Sequence, residues 1–379
     1  MTDPVKLISS LNIKGLTLKN RITMAPLYLG YASPDGTVSP LMLEHYAEMA
    51  DSGAALIVVE NSVVDPSGLG SPFTLRIDDD RFIPGLSRLA QTIHDNGALA
   101  FLQINHAGRY AFMQDKLTPS GIKIGELETK EMSGADIDRI VECFASGAKR
   151  VREAGFDGVE IHGGTGYLIV QFLSPRTNLR TDEYGGSLEN RMRFPLRVAD
   201  EVINSVGKNF PVGYRFLADE ELPDGLHVEE TAVLAEELEK RGVAYISVMA
   251  GTYDAFILPE YIQKEKQAAY MAHYAGEIKK AAAQTPIITA GRIKTPETAE
   301  SIIEQGTADL IGLARVLLAD PLWPKKAAGL IDEPIVECEP SCSLCLRRTM
   351  VGKPAFCSQW EKDRREAFLN KIGEKSEEA

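Results

Sequence analysis

The sequence predicts an α/β fold, a (β/α)8 TIM barrel, followed by a cysteine-rich segment near the carboxyl end. Short apolar runs rich in β-branched residues alternate with longer amphipathic stretches, which is the pattern of parallel strands buried by crossover helices. Eight such units can be counted, and eight parallel strands favour a closed barrel. The 379 residues, of which 44% are hydrophobic, suffice to bury the core of such a barrel.

Each predicted strand opens one repeat unit. One of the intervening helices carries clear end signals, because Ser133 and Asp136 form a capping-box pair before an apolar stripe and Gly155 follows as a stop. Most strands end in polar or glycine-rich sequence, and barrel enzymes carry their chemistry at that rim. A long connection over residues 174–191 is predicted to cover the site. The predicted strands begin near Ile22, Ala54, Ala98, Gly158, Pro211, Ala244, Pro286 and Ala308.

The chain is acidic, with a formal net charge of -13 and an isoelectric point near 5.1. No stretch concentrates lysine or arginine without interleaved acids, so nucleic acid and anionic membranes are poor partners. The first residues, Met1 to Asn20, lack the apolar core of a secretory signal, and no apolar run approaches the ~18 residues of a membrane span. A cytoplasmic location is the resulting expectation.

Four of the five cysteines lie close together in the sequence near the carboxyl end. In a reducing compartment such a group indicates metal ligation rather than disulfides. The fifth, Cys143, falls on the apolar side of a predicted helix and is expected to be a core residue. We therefore predict a barrel over residues 1–330, a metal-binding segment over 331–361 and a charged tail over 362–379. The four clustered cysteines are Cys338, Cys342, Cys345 and Cys357.

The last two strands end in small residues beside arginines, Gly291-Arg292 and Ala314-Arg315. Barrels commonly bind a phosphate at this place, and backbone amides with a bidentate guanidinium suit a phosphate dianion. Two ordinary surface arginines are the alternative. Neither a G-x-G-x-x-G nor a Walker-type motif follows any strand, so the phosphate-bearing cofactor is expected to be FMN rather than NAD or FAD. Pyridoxal phosphate fits less well, since no lysine stands out at a strand end.

Four segments of the sequence resemble the Old Yellow Enzyme (NADH:flavin oxidoreductase) family. The most diagnostic is HGGTGYLIVQFLSPRTNLRTDEYGGSLENRMRF, which begins at His162. The others are LKNRITMAP near the amino end, QINHAGR at residues 103–109 and ADLIGLARVLLADP near the carboxyl end. The resemblance spans nearly the whole chain and implies an FMN-binding barrel.

The resemblance implies ten cofactor-binding residues. A cation at Arg215 would stabilise the anionic reduced flavin, whereas an ion pair inside the barrel is the alternative. Tyr28 occupies a position where some relatives place a redox-tuning Cys or Thr, and it either contacts the flavin ring or simply lines the pocket. His106 either touches the flavin or is a packed rim histidine. The ten residues are Pro26, Leu27, Tyr28, Asn61, Gln103, Arg215, Gly291, Arg292, Ala314 and Arg315.

The resemblance also implies three catalytic residues, His162, Thr165 and Tyr167, on one turn after the fourth strand. In ene reductases of the family, paired His or Asn donors polarise the substrate carbonyl and a Tyr protonates carbon. His162 matches the first donor and Tyr167 the proton donor. Thr165 departs from the pattern, because a hydroxyl replaces the second His or Asn and can accept as well as donate. The alternative is that these residues only pack the loop.

The cysteine spacing, C-x3-C-x2-C-x11-C, resembles the 4Fe-4S segment of the iron-sulfur branch of the family, which includes 2,4-dienoyl-CoA reductases and trimethylamine dehydrogenase. Four thiolates satisfy the four irons of a cubane. Zinc held by four cysteines is the structural alternative. The first two gaps are reversed relative to the dienoyl-CoA reductases, which makes Cys342 the least secure ligand.

These features predict an FMN- and 4Fe-4S-dependent ene reductase that reduces an activated C=C bond of an enoyl-CoA, dienoyl-CoA or related unsaturated carbonyl compound. Amine dehydrogenation or demethylation is the alternative, since Tyr28, Tyr31, Tyr253 and Phe256 offer an aromatic surface for a cation. A non-catalytic electron-transfer subunit is a third. Larger cluster-bearing relatives carry a nucleotide-binding region after the cysteines, whereas too few residues follow Cys357 in this sequence for one. A separate flavoprotein or ferredoxin is therefore expected to donate electrons. A homo-oligomer is left open.

Overall fold

The computed structural model describes residues 5–124 and 127–374 and contains a closed barrel of eight parallel strands. Each strand pairs with its neighbours in chain order, and the eighth closes on the first through the pairs Ile311↔Ile22 and Leu313↔Met24. The predicted barrel and all eight predicted strands are confirmed. The strands are β1 (Ile22–Met24), β2 (Leu56–Val63), β3 (Leu99–Asn105), β4 (Gly158–Gly163), β5 (Val212–Asp219), β6 (Tyr245–Ala250), β7 (Ile287–Thr289) and β8 (Leu310–Leu313).

Helices surround the barrel and follow its strands. Those that pack around its wall are α1 (Pro40–Asp51), α2 (Ile83–Asp95), α3 (Gly134–Glu153), α5 (Leu188–Val206), α6 (Val228–Arg241), α8 (Ala272–Ala281) and α9 (Pro296–Glu304). Shorter helices follow several strands or the barrel itself: α4 (Leu168–Leu173), α7 (Pro259–Lys264), α10 (Arg315–Ala319), α11 (Trp323–Ala327), α12 (Leu344–Met350) and α13 (Lys362–Lys371).

A short antiparallel hairpin, Leu11–Ile13 with Leu16–Leu18, packs at the amino ends of the barrel strands. Its Ile13 and Leu18 join a buried cluster with Phe101 and Tyr245, which point into the barrel. Glycines make room for these rings, since a Cβ at Gly158 would lie 2.2 Å from Phe101. The amino-terminal end of the barrel is thereby filled with side chains, and its carboxyl-terminal rim is left for chemistry.

Further short strands flank the barrel. Leu75–Arg76 extends the sheet beside β2, Leu117–Thr118 pairs with Lys130–Glu131, and Lys123–Ile124 pairs with Leu127–Glu128. The pairing of β2 with β3 contains a register shift between Val59 and Ser62. Such a bulge turns the intervening residues, Glu60 and Asn61, relative to the rest of the strand.

The cysteine-rich segment packs on the carboxyl-terminal rim. Trp360 donates through Nε1 to the carbonyl of Leu318 at 2.6 Å, and the Ala355 amide donates to the carbonyl of Leu29 at 2.9 Å. Phe356, Trp360 and Phe368 belong to the same buried core as the barrel helices. The boundaries at 330 and 361 stay predictions, and residues 375–379 of the predicted tail lie outside the described residues. In the described part of the chain, no helix has the length and apolar character needed to span a membrane.

Candidate active site at the barrel rim

Five of the predicted cofactor-binding residues line one cavity on β5 and at the carboxyl ends of β7 and β8. The wall also includes Ala25, Tyr270, Gly312 and Cys338. Three guanidinium groups therefore meet in one place, as an anionic cofactor requires. The five are Arg215, Gly291, Arg292, Ala314 and Arg315.

The turn after β7 presents Arg292 to this cavity. Gly291 and Arg292 both have left-handed backbone, with φ of 93° and 57°, and turns of this kind can point amide groups into concave anion sites. Arg292 donates through Nε to the carbonyl of Glu265 at 3.0 Å and through Nη2 to the carbonyl of Pro340 at 2.9 Å. Its Nη1 is buried and has no hydrogen-bond partner among the described residues. A buried guanidinium nitrogen without an acceptor fits a phosphate group.

Arg315 is the second arginine of this group and opens α10 directly after β8. The carboxylate of Glu265 lies 3.4 Å from Nη2 of both Arg292 and Arg315. Glu265 therefore neutralises part of the positive charge, and no sequence pattern had indicated it, since it lies in the long segment after β6. The remaining donors still match the phosphate of FMN in charge and in hydrogen-bonding type.

Inside the barrel, a buried polar network supports Arg215. Its Nη1 donates to Ser247 Oγ at 2.8 Å. Burial lowers the pKa of Arg215, and the charge of the nearby Glu160 opposes that shift. Glu160 in turn accepts from Gln103 Nε2 at 2.7 Å and from the Tyr245 hydroxyl at 2.9 Å. The sequence left two interpretations of Arg215, a cation beside the flavin and an ion pair inside the barrel. Both are compatible with this network, because the same guanidinium lines the cavity and interacts with a buried acid.

Glu160 itself was not predicted to be a site residue. The sequence did offer a signal for it, because this glutamate lies within the apolar strand GVEIHGG. A fully buried acid needs hydrogen-bonding or charged partners. By accepting from Gln103 Nε2 it fixes the direction of that amide. Glu160 is thus a positioning residue for Gln103 and Arg215.

The other predicted cofactor residues lie on neighbouring strands. Pro26, Leu27 and Tyr28 follow β1, and Asn61 is partly exposed at the bulge near the end of β2. Tyr28 donates to Ser71 Oγ at 2.7 Å, and burial raises its pKa to about 12. Tyr28 is therefore a neutral hydroxyl at physiological pH.

His162, at the end of β4, is a neutral imidazole. Burial, with a smaller contribution from the charge of Arg215, lowers its pKa to about 3. Its Nδ1 is buried without a hydrogen-bond partner among the described residues. The ring of Tyr167 meets it edge to face, with centroids 5.0 Å apart. A neutral imidazole next to a phenol supplies two hydrogen-bond donors within one small volume.

Tyr167 also contacts an aromatic group that the sequence did not connect to it. Its hydroxyl lies 2.8 Å from the hydroxyl of Tyr253, which follows β6. The ring of Tyr110 packs on Tyr253 with centroids 4.9 Å apart. The Tyr110 hydroxyl donates to Asp254 at 3.2 Å, and Arg109 forms a salt bridge with the same carboxylate. The rim thus carries a tyrosine cluster consisting of Tyr110, Tyr167 and Tyr253.

Thr165 lies in the same turn as His162 and Tyr167 but has strained backbone, with φ of 61°. A β-branched residue rarely adopts this conformation, which costs of the order of 1–3 kcal/mol and often marks a functional turn. Its hydroxyl donates to Met249 Sδ at 3.5 Å. The role predicted for Thr165 at the substrate stays a prediction.

His106 is fully buried at the end of β3. Its Nε2 lies 3.0 Å from Ser67 Oγ, and its Nδ1 accepts from the Gly108 amide at 3.1 Å. Burial lowers its pKa to about 4. Gly68 packs directly against the ring, since a Cβ there would lie 2.5 Å from it. These contacts favour the packed rim histidine of the two interpretations.

The four clustered cysteines line one small cavity, together with Arg315, Leu318 and Phe356. Cys357 is buried, and Cys342 Sγ lies 3.1 Å from Ser358 Oγ. Between residues 5 and 374, leaving aside 125 and 126, no three His, Cys, Asp or Glu side chains are grouped as a site for one metal ion. The 4Fe-4S cluster expected from the cysteine spacing and its zinc alternative both stay predictions.

The cysteine cavity and the cofactor cavity share a wall. Arg315 and Cys338 line both. Burial raises the pKa of Cys338 and of Cys345, and the Arg315 guanidinium opposes both shifts. Cys143, by contrast, lies on α3, 3.7 Å from Asp65, and burial raises its pKa to about 11. It is an unreactive thiol outside the cavity.

Comparison with known proteins assigns the chain to a family. Residues 6–333 match the sequence profile of the NADH:flavin oxidoreductase / NADH oxidase family. The chain is 40% identical over 336 residues to an NADH oxidase of Thermoanaerobacter brockii, covering 86% of this chain and 51% of that protein. It is 41% identical over 370 residues to a metal reductase of Desulforamulus reducens, covering 96% of this chain and 55% of that protein. The chain thus spans about half the length of these relatives.

The fold also matches a solved structure of 2-naphthoyl-CoA reductase in complex with 2-naphthoyl-CoA. The TM-score is 0.90 at 27% identity, and the match covers 95% of this chain and 58% of that one. The similarity of fold thus extends over nearly the whole of this chain.

Proposed function

The chain belongs to the NADH:flavin oxidoreductase / NADH oxidase family and is a flavin-dependent oxidoreductase, and from this premise we propose that it reduces activated C=C bonds using FMN and a 4Fe-4S cluster. The substrate class is an alkene conjugated to a carbonyl or a thioester, such as an enoyl-CoA or dienoyl-CoA. The similarity to a reductase that binds an aromatic acyl-CoA supports the thioester.

The observation that carries this proposal is the pair of donors at the end of β4. His162 is neutral, and Tyr167 is protonated, because burial raises the pKa of its phenol well above the usual value. Both stand at the rim that carries the arginine-lined cavity. A neutral imidazole N–H can polarise a carbonyl, and a phenol can protonate the carbon beside it.

In this proposal Arg215, Arg292 and Arg315 would hold FMN, which when bound and reduced would supply the hydride. His162 donates a hydrogen bond to the carbonyl oxygen and so stabilises negative charge that develops there. Tyr167 gives its hydroxyl proton to the α carbon. The substrate thereby gains one hydride and one proton, and Tyr167 must recover a proton before the next turnover.

The proposed electron source is a separate one-electron donor protein that docks near the cysteine cavity. Supporting this route, Arg315 and Cys338 belong to both cavities, so a cluster held by the four cysteines would be next to the cofactor. Direct hydride transfer from NADH is the rival route, and the name of the T. brockii relative favours it.

Amine oxidation is the second candidate, and the tyrosine cluster is the observation that favours it. Electron-rich ring faces of Tyr110, Tyr167 and Tyr253 can bind a substituted ammonium. An amine substrate reduces the flavin, whereas an alkene substrate oxidises it, so the two candidates predict opposite changes.

The test compares flavin oxidation by alkenes with flavin reduction by an amine, both under anaerobic conditions. Reduced protein is mixed with 2-cyclohexenone or crotonyl-CoA, and oxidised protein with trimethylamine. We expect the flavin absorbance to return with the alkenes and to persist with the amine. Bleaching by trimethylamine, with no reoxidation by either alkene, would replace the first proposal with the second.

A further inference from the structure

Tyr167 needs a source of protons, because each reduction in the proposed function consumes the proton of its hydroxyl. Tyr167 is half-buried, and a substrate that accepts its proton must touch that hydroxyl and so shield it from water. Burial also raises the pKa of Tyr167, which makes a persistent phenolate unfavourable. A group that contacts both Tyr167 and solvent would solve this problem.

Tyr253 is such a group. Its hydroxyl is 2.8 Å from that of Tyr167, and its side chain remains substantially accessible, with the residue 38% exposed. A hydroxyl can donate and accept at the same time, so it can pass a proton in one direction while receiving another. Tyr110, although its ring packs on Tyr253, directs its hydroxyl to Asp254 instead.

The rings hold this geometry in place. Tyr253 packs edge to face on Tyr110 at 4.9 Å, on Phe256 at 5.7 Å and on Tyr167 at 5.8 Å between centroids. Asp254, the next residue, is fixed by salt bridges to Arg109 and Arg176. The loop that carries Tyr253 is therefore anchored at the residue adjacent to the hydroxyl pair.

We infer that Tyr253 is a proton relay that returns a proton from solvent to Tyr167 after each reduction. The inference rests on the proposed function, in which Tyr167 protonates substrate carbon. After the Tyr167 O–H bond has broken and the new C–H bond has formed, the Tyr253 proton moves to the Tyr167 oxygen. Water then protonates Tyr253. One proton enters from solvent for each proton delivered to carbon, and the reduced cofactor supplies the hydride.

The test uses Tyr253→Phe in the holoprotein, because this change keeps the ring contacts and removes only the hydroxyl. We expect the first turnover of reduced protein with 2-cyclohexenone to be little affected, since Tyr167 still carries its proton. Steady-state turnover with reduced methyl viologen should fall roughly 10-fold, less than the effect typical of losing a general acid. Imidazole at constant pH and ionic strength should restore it in proportion to its concentration.

A matched Tyr274→Phe variant serves as the control, because Tyr274 on α8 donates its hydroxyl to Glu221 and not to the tyrosine cluster. It should keep wild-type turnover without any imidazole dependence. Wild-type turnover of Tyr253→Phe would overturn the relay, and so would a loss that imidazole does not restore, since that marks a structural role. Failure of the proposed function is separately visible, because Tyr167→Phe would then complete its first turnover at the wild-type rate.

Discussion

His162 shows how the surroundings of one residue determine its chemistry. A histidine in water is partly protonated near neutral pH, yet burial holds the pKa of His162 at about 3. The folded protein therefore keeps it neutral across the physiological range. A neutral ring can donate a hydrogen bond to a carbonyl without transferring its proton, and in the proposed function Tyr167 protonates the carbon.

This charge state gives a prediction about pH. Since the pKa in the folded protein lies far below 6.5, the rate at which 2-cyclohexenone reoxidises the reduced flavin should show no titration of His162 between pH 5 and 8. Stopped-flow rates over this range measure it. An acidic limb with an apparent pKa near 6.5 that disappears in His162→Gln would show that the imidazole is not held neutral.

The same residue affects stability in a direction that can be worked out. The unfolded chain binds a proton at His162 below its ordinary pKa of about 6.5, whereas the folded protein does so only near pH 3. Its contribution is complete above pH 6.5 and is lost as pH falls towards 3. His45 and His106 share this sign, because burial lowers their pKa values to about 3 and about 4.

At the scale of elements, the turns after β7 and β8 are the features that we propose to hold the cofactor. Each of these turns follows a short strand of three or four residues and carries one arginine, Arg292 or Arg315. A small change in the backbone of either turn would move its arginine relative to the cavity. Gly291 is required there because its φ is 93° and an added Cβ would meet Tyr270 at 2.9 Å. Arg315 opens α10 and extends to the wall shared with the cysteine cavity.

We predict that Arg315→Ala weakens FMN binding by about 2–4 kcal/mol, because a bidentate phosphate contact is lost. Fluorescence titration of the flavin-free protein measures the dissociation constant. Arg88→Ala, which removes an exposed arginine on α2, is the matched control and should bind like wild type. Equal affinity in Arg315→Ala would refute the phosphate assignment.

Element by element, periodicity predicted the fold well. The eight strands and α3, with its capping box at Ser133 and Asp136, appear where the pattern indicated. Pairings between distant loops were not predictable. Tyr167 and Tyr253 meet because the ends of β4 and β6 converge at the rim, and the sequence contains no signal for the 2.8 Å contact between their hydroxyls. Glu265 approaches both arginines for the same reason.

At the scale of the whole molecule, the cysteine-rich segment lies against the barrel rim rather than apart from it. Trp360 bonds to the end of α10, and Tyr31 donates to the carbonyl of Ala355 at 2.5 Å. Burial of Phe356 and Phe368 in the main core ties the segment to the barrel. A redox group held there would share the rigid frame of the cofactor cavity.

The route of electrons is therefore testable with one cysteine. If the cluster relays electrons, Cys345→Ser should sharply slow flavin reduction by reduced methyl viologen. The matched variant Cys143→Ser, which lies outside the cavity, should reduce like wild type. Rapid bleaching by NADH or NADPH alone, undiminished in Cys345→Ser, would contradict the relay and establish direct hydride transfer.

In the proposed reaction this barrel reduces an activated alkene with a proton from Tyr167. A single anaerobic turnover measures it directly: protein with fully reduced flavin is mixed with 2-cyclohexenone, and both reoxidation and cyclohexanone are quantified. We predict one cyclohexanone per flavin in wild type, at a rate about 10²-fold higher than in Tyr167→Phe. Reoxidation without cyclohexanone, or an equal rate in the variant, would contradict the claim.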